Sequence, residues 1–238
     1  MPVEYNPAYL HHIEKGRTES VRELVFGMED GMVSTLGAIT GIAAATGNHF
    51  TVVLAGFIII AVESISMAVG AYLSSKSVRA IEDRKLSEES EELEKFPEEE
   101  KKELIEMYVR DGWSPALAKK MTDEAARNQK LFLQEMAYRE LSIIPDHKEE
   151  PGKNGAVMLV SYLVGGAIPL LPYLAFTITP ALPISIIITF VALFGLGVFT
   201  TRYSKRVWWK AGLEMLLLAG LAAVVGYAVG QVVEGIFN

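Results

Sequence analysis

Residues 31–62 contain no Asp, Glu, Lys or Arg, and neither do residues 154–201 or 215–233. The stretch between the first two of these runs is the reverse, with charged positions at nearly every turn. A helix needs about 20 apolar residues to cross the hydrocarbon core of a bilayer, so the three runs hold more than three crossings. Gly47-Asn48-His49 divides the first run into a helix from about Met28 to Thr46 and another from about Thr51 to Ser75, interrupted only by Glu63. The second run is too long for one crossing, and Pro169, Pro172, Pro180 and Pro183 predict its break into a hairpin of two spans. Residues 207–237 predict the fifth.

The polar insertion reads as helices. Phe96-Pro97-Glu98-Glu99 puts proline at a first helical position with acids in the first turn, where they complement the helix dipole, and Asp111-Gly112 ends that helix. Ser114-Pro115 opens a further one that can run to about Ser142, before Pro145. An earlier helix continues the second span through Val78, Ile81 and Leu86 to about Lys95, so three helices are predicted. On them Glu89 and Glu92 are three apart, Glu100 and Glu103 three apart, and Met136 and Glu140 four apart, so each pair shares a helix face. A solvated charged face is the plain account of most glutamates. The density here exceeds what solubility needs, and a thioether one turn from a carboxylate suits ferrous iron, manganese or cobalt better than calcium or magnesium.

Composition sharpens the picture. The 238 residues carry a net charge of -7, most of it in the insertion, and no cysteine, which excludes disulfides and thiolate metal sites. No basic aromatic stripe points to nucleic acid, and no phosphate-binding glycine loop points to ATP. No cleavable signal is expected, because the first 25 residues are polar. The connections at 47–50 and 172–183 lack Lys and Arg, whereas Arg202, Lys205, Arg206 and Lys210 follow the fourth span. Positive loops stay cytosolic, so the N-terminal tail and the insertion are expected in the cytosol. Ionisable groups inside spans are costly and are functional candidates: Asp30, leading a stripe through Ser34, Gly37 and Gly41, and Glu63, one turn before Met67. The two glycines fit close helix packing. Glu214 follows Lys210 by one turn and is expected to pair with it. The histidines form no Glu-x-x-His pair, which argues against a ferritin-like di-iron centre.

The stretches Arg22-Glu23-Leu24-Val25-Phe26-Gly27, Asp30-Gly31-Met32-Val33-Ser34-Thr35 and Ser66-Met67-Ala68-Val69-Gly70-Ala71-Tyr72-Leu73-Ser74 resemble the vacuolar iron transporter family, and the likeness covers nearly the whole chain. The resemblance implies a homodimer of five-span subunits whose ion path follows the dimer interface, with a three-helix cytosolic metal-binding domain between spans two and three. It implies exchange of ferrous iron and other divalent metals for protons. Carried onto this chain, the pathway residues are Glu23, Asp30 and Met67, and the metal-domain ligands are Glu89, Glu92, Glu100, Glu103, Met136 and Glu140. Ala71 and Ala137 depart from the family pattern, and Glu63 offers a carboxylate from elsewhere on the second span.

The expectation is therefore an all-α membrane protein: residues 1–75 with an amphipathic N-terminal segment and spans one and two, residues 76–150 as the cytosolic metal-binding domain, and residues 151–238 with spans three to five. It is expected to be a transporter of Fe2+, Mn, Co or Zn rather than an enzyme. It would hold no prosthetic group, sit in a plasma or vacuolar-type membrane and have no nucleic-acid partner. The alternative is a membrane-anchored metal buffer or sensor without transport.

Overall fold

The computed structural model describes residues 17–144, 150–204 and 206–237, and they form helices with no strand among them. In chain order these are α1 (Arg17–Thr46), α2 (His49–Lys95), α3 (Pro97–Arg110), α4 (Pro115–Ala125), α5 (Gln129–Arg139), α6 (Pro151–Ala175), α7 (Ile178–Ser204) and α8 (Trp208–Phe237). Residues 1–16, which hold most of the expected amphipathic N-terminal segment, lie outside the described part. The chain divides into two compact units, one built from α1, the start of α2 and α6 to α8, the other from Ser74–Glu150.

In the first unit α1 is the enclosed helix, packed against α6, α7 and α8. A Cβ on Gly31 would lie 2.6 Å from the Tyr162 carbonyl oxygen, so α1 and α6 approach backbone to backbone, which only small residues permit. Met32 packs with Leu193 and Leu196, and Ile39 and Ala43 with Val52, Tyr173 and Ala181. The outward faces are apolar, with Phe50, Phe57, Val62 and Ile65 on α2, Ile187 and Val191 on α7, and Leu217 and Leu221 on α8 all exposed. Among the described residues, three helices, α2, α6 and α7, are long and apolar enough to cross a membrane. α1 differs because Glu29, Asp30 and its serines and threonines lower its hydropathy, and its neighbours shield that polarity.

The hairpin breaks inside the expected connection at 172–183, but over a shorter stretch than its prolines predicted. α6 runs through Pro169 and Pro172, and α7 through Pro180 and Pro183; the chain leaves helix only at residues 176–177. Proline is tolerated inside membrane-type helices packed against neighbours, and here Ser185 of α7 donates its hydroxyl to the Pro169 carbonyl of α6 at 2.6 Å, tying the two helices together beside the prolines. Pro180 lies in the first turn of α7, where an absent N–H costs nothing. His49 Nε2 sits 2.6 Å from the Tyr173 carbonyl and 3.1 Å from that of Phe176. Both neighbours are acceptors, so this nitrogen carries its proton and caps the end of α6.

The second unit is built around Leu93, Leu104, Tyr108, Phe132 and Met136. Its expected third helix is two helices, because residues 126–128 interrupt it. Asn128 takes an extended conformation (φ -130, ψ 104), and its side chain accepts from the Lys130 and Leu131 amides, which starts α5 anew. The Ser114 side chain makes no capping hydrogen bond, although α4 begins where expected.

Candidate metal centre

α2 carries Glu89 and Glu92 near its end, the chain turns at Phe96, and Pro97 starts α3 with Glu100 and Glu103 in its first two turns. Glu140 follows the last residue of α5, with its amide bonded to the Met136 carbonyl at 2.8 Å. Three helices thus deliver Glu89, Glu100 and Glu140 to one point, with one carboxylate oxygen from each lying within 4.8 Å of the others. Glu89 and Glu100 are buried, 2 % and 7 % exposed, whereas Glu140 reaches the surface. Glu92 and Glu103 are exposed. Met136 is 0 % exposed and packs in the apolar core.

The electrostatics follow from crowding like charges in a place water reaches poorly. Burial, then repulsion from Glu140 and Glu100, pushes the Glu89 carboxyl up to about 8. Burial, then Glu103 and Glu140, pushes Glu100 up to about 7. Glu140 is raised too, by burial and then by Glu103, against the lowering effect of its hydrogen bond with Glu89. Among the described residues, the charges that act on the three are other carboxylates. Glu89 Oε1 and Glu100 Oε2 are buried without a hydrogen-bond partner, a condition that costs about 1–3 kcal/mol per group. A divalent cation would answer both the repulsion and the missing donors. Oxygen ligands in this number, open on the Glu140 side, suit a bound and exchangeable ion.

The acids of α1 and Glu63 of the membrane-type α2 lie in the first unit. The Asp30 carboxylate feels the charge of Glu63, and both act on Tyr162 of α6. Tyr162 is fully buried, and its hydroxyl lies 2.6 Å from that of Ser34. Met67 is half-buried on α2, one turn after Glu63. Glu23 is buried two turns before Asp30, with Arg22 Nη2 at 2.7 Å from its carboxylate. Glu214 pairs with Arg206 at 2.7 Å instead of with Lys210, whose ammonium lies over the Trp209 ring. The sequence singles out Asp30 and Glu63 as charges in apolar runs and Glu23 by resemblance, but not Tyr162. A lone tyrosine in a charge-free run gives no signal until α6 is laid against α1.

The chain as a whole is similar to known proteins. The profile of the VIT family matches residues 21–231. The chain is 27% identical over 227 residues to vacuolar iron transporter 1 of Arabidopsis thaliana, covering 94% of this chain and 91% of that protein. It is 29% identical to the vacuolar iron transporter of Centaurea cyanus, with 93% and 90% covered, and 28% identical to that of Plasmodium falciparum, with 94% and 85% covered.

Proposed function

This chain belongs to the VIT family, and from that premise we propose that it carries ferrous iron, and with it manganese, cobalt and zinc, out of the cytosol in exchange for protons. The observation that carries the reading is the convergence of Glu89, Glu100 and Glu140 with two buried oxygens lacking donors. Relatives that span nearly the same length are named for vacuolar iron transport, which supports the cargo.

In this reading the cluster, with Glu92, Glu103 and Met136 around it, captures the ion and raises its local concentration. Asp30 and Met67 then bind it within the spans, while Glu23 and Glu63 carry protons. A bound cation favours the ionised carboxylate, so metal and proton compete for the same oxygens, and that competition couples the two fluxes. Five spans in a homodimer, with Ser74–Glu150 on the cytosolic side, complete the proposal. The apolar outward faces of α2, α7 and α8 support a bilayer around the first unit.

The test is proton movement stimulated by iron, manganese, cobalt or zinc in proteoliposomes holding the full chain. Metal entry with no counter-movement of protons would end the exchange reading. A buffer or sensor would show metal binding with no flux at all.

A further inference from the structure

Beside the carboxylate cluster lies a set of polar contacts centred on Arg139. Arg139 is the last residue of α5 and the neighbour of Glu140. Its side chain is only 16% exposed and has three attachments. Nη1 donates to Asp111 Oδ2, just past the end of α3. Nε donates to Glu135 Oε2 at 3.2 Å, and the guanidinium carbon lies 4.1 Å from the centroid of the Tyr108 ring on α3. The Tyr108 hydroxyl in turn donates to the same Glu135 oxygen at 2.9 Å. Past Glu140 the chain leaves the helix through Ser142, with φ at 56°, and the Ile143 amide returns to the Ala137 carbonyl at 2.9 Å.

We propose that Arg139 is a positioning residue that locks the end of α5 to the end of α3, and so holds Glu140 and Met136 in register with Glu100. The inference rests on the metal reading of the cluster. Magnitudes favour a role in register. A slip of one helical turn moves a side chain by about 5.4 Å, more than the 4.8 Å within which the three carboxylate oxygens gather. α4 and the loops around it join α3 to α5, so this clamp closes the end of the chain segment that carries the cluster. The residue type fits as well. A planar fork can bridge two carboxylates while stacking on an aromatic face, which a lysine ammonium cannot do. Asp111 and Glu135 also keep the guanidinium engaged away from the glutamates it adjoins.

The experiment measures cobalt binding to the full chain in detergent by titration, together with the visible absorption of the bound ion, which reports ligand geometry. Arg139→Gln should weaken binding about tenfold, equivalent to about 1.4 kcal/mol, and alter the absorption while helix content by circular dichroism stays unchanged. Arg139→Lys, the milder change, should still weaken it several-fold. In a Glu140→Gln background Arg139→Gln should cost much less than in the wild type, because only Met136 is left for it to position. Equal losses in both backgrounds would mean general loosening and would overturn the proposal, as would wild-type affinity and absorption in Arg139→Gln. If Glu89→Gln also leaves cobalt binding untouched, the metal reading falls and this inference with it. If Glu89→Gln weakens binding and Arg139→Gln does not, only the positioning role falls.

Discussion

The α-carbon of Gly31 faces the carbonyl oxygen of Tyr162 so closely that a Cβ there would lie 2.6 Å away. Backbone cannot step aside as a flexible side chain can. Gly31→Ala should therefore destabilise the first unit by about 1–3 kcal/mol, the usual range for overpacking, and lower the melting temperature in detergent. Gly195→Ala, where a Cβ meets nothing within 4 Å, should leave it unchanged.

The Asp30, Glu63 and Tyr162 group predicts where flux is lost. Asp30→Asn and Met67→Ala should each cut metal flux into proteoliposomes about tenfold or more, while cobalt binding to the glutamate cluster stays at the wild-type value. A charged group within a span persists only where it is used or paired. Unchanged flux in both variants would remove these residues from the path.

Metal binding to the cluster should depend steeply on pH. With Glu89 at about 8 and Glu100 at about 7, both are largely protonated below about pH 6, and a cation must displace those protons. Calorimetry in buffers of different ionisation enthalpy should show proton release near neutral pH that Glu89→Gln reduces. Stability without metal should move the other way. Both values exceed the unfolded one, so the folded chain holds protons the unfolded chain has given up. That stabilisation is present near about pH 5 and is lost as pH rises through about 7 and 8, so the melting temperature should fall over this range and fall less in Glu89→Gln.

Asn128 starts α5 through two side-chain to backbone hydrogen bonds. Asn128→Ala should cost about 0.5–2 kcal/mol, seen as faster amide exchange in α5 than in α3. Cobalt affinity should drop with it, because Glu140 depends on that helix.

Much of this was readable beforehand. Charge-free runs located the helices of the first unit, and three-residue spacing singled out Glu89, Glu100 and their neighbours. The prolines placed the hairpin but overstated its break, because a proline packed between helices can stay inside one, and the contact between Ser185 and the Pro169 carbonyl joins residues sixteen apart. Asn128 was missed because a single capping side chain in a polar stretch resembles any surface asparagine. The Arg139 clamp joins residues 28 apart, Asp111 and Arg139, a distance at which helical spacing says nothing.

Met136 is shut off from solvent. Oxidation to the sulfoxide would turn this apolar thioether into a polar group inside a packed core. Because an oxidant reaches it only when the helices around it open, the working lifetime of the domain is set by how often α5 comes loose, not by how reactive its sulfur is. A more mobile α5 would age faster even where it bound metal just as well.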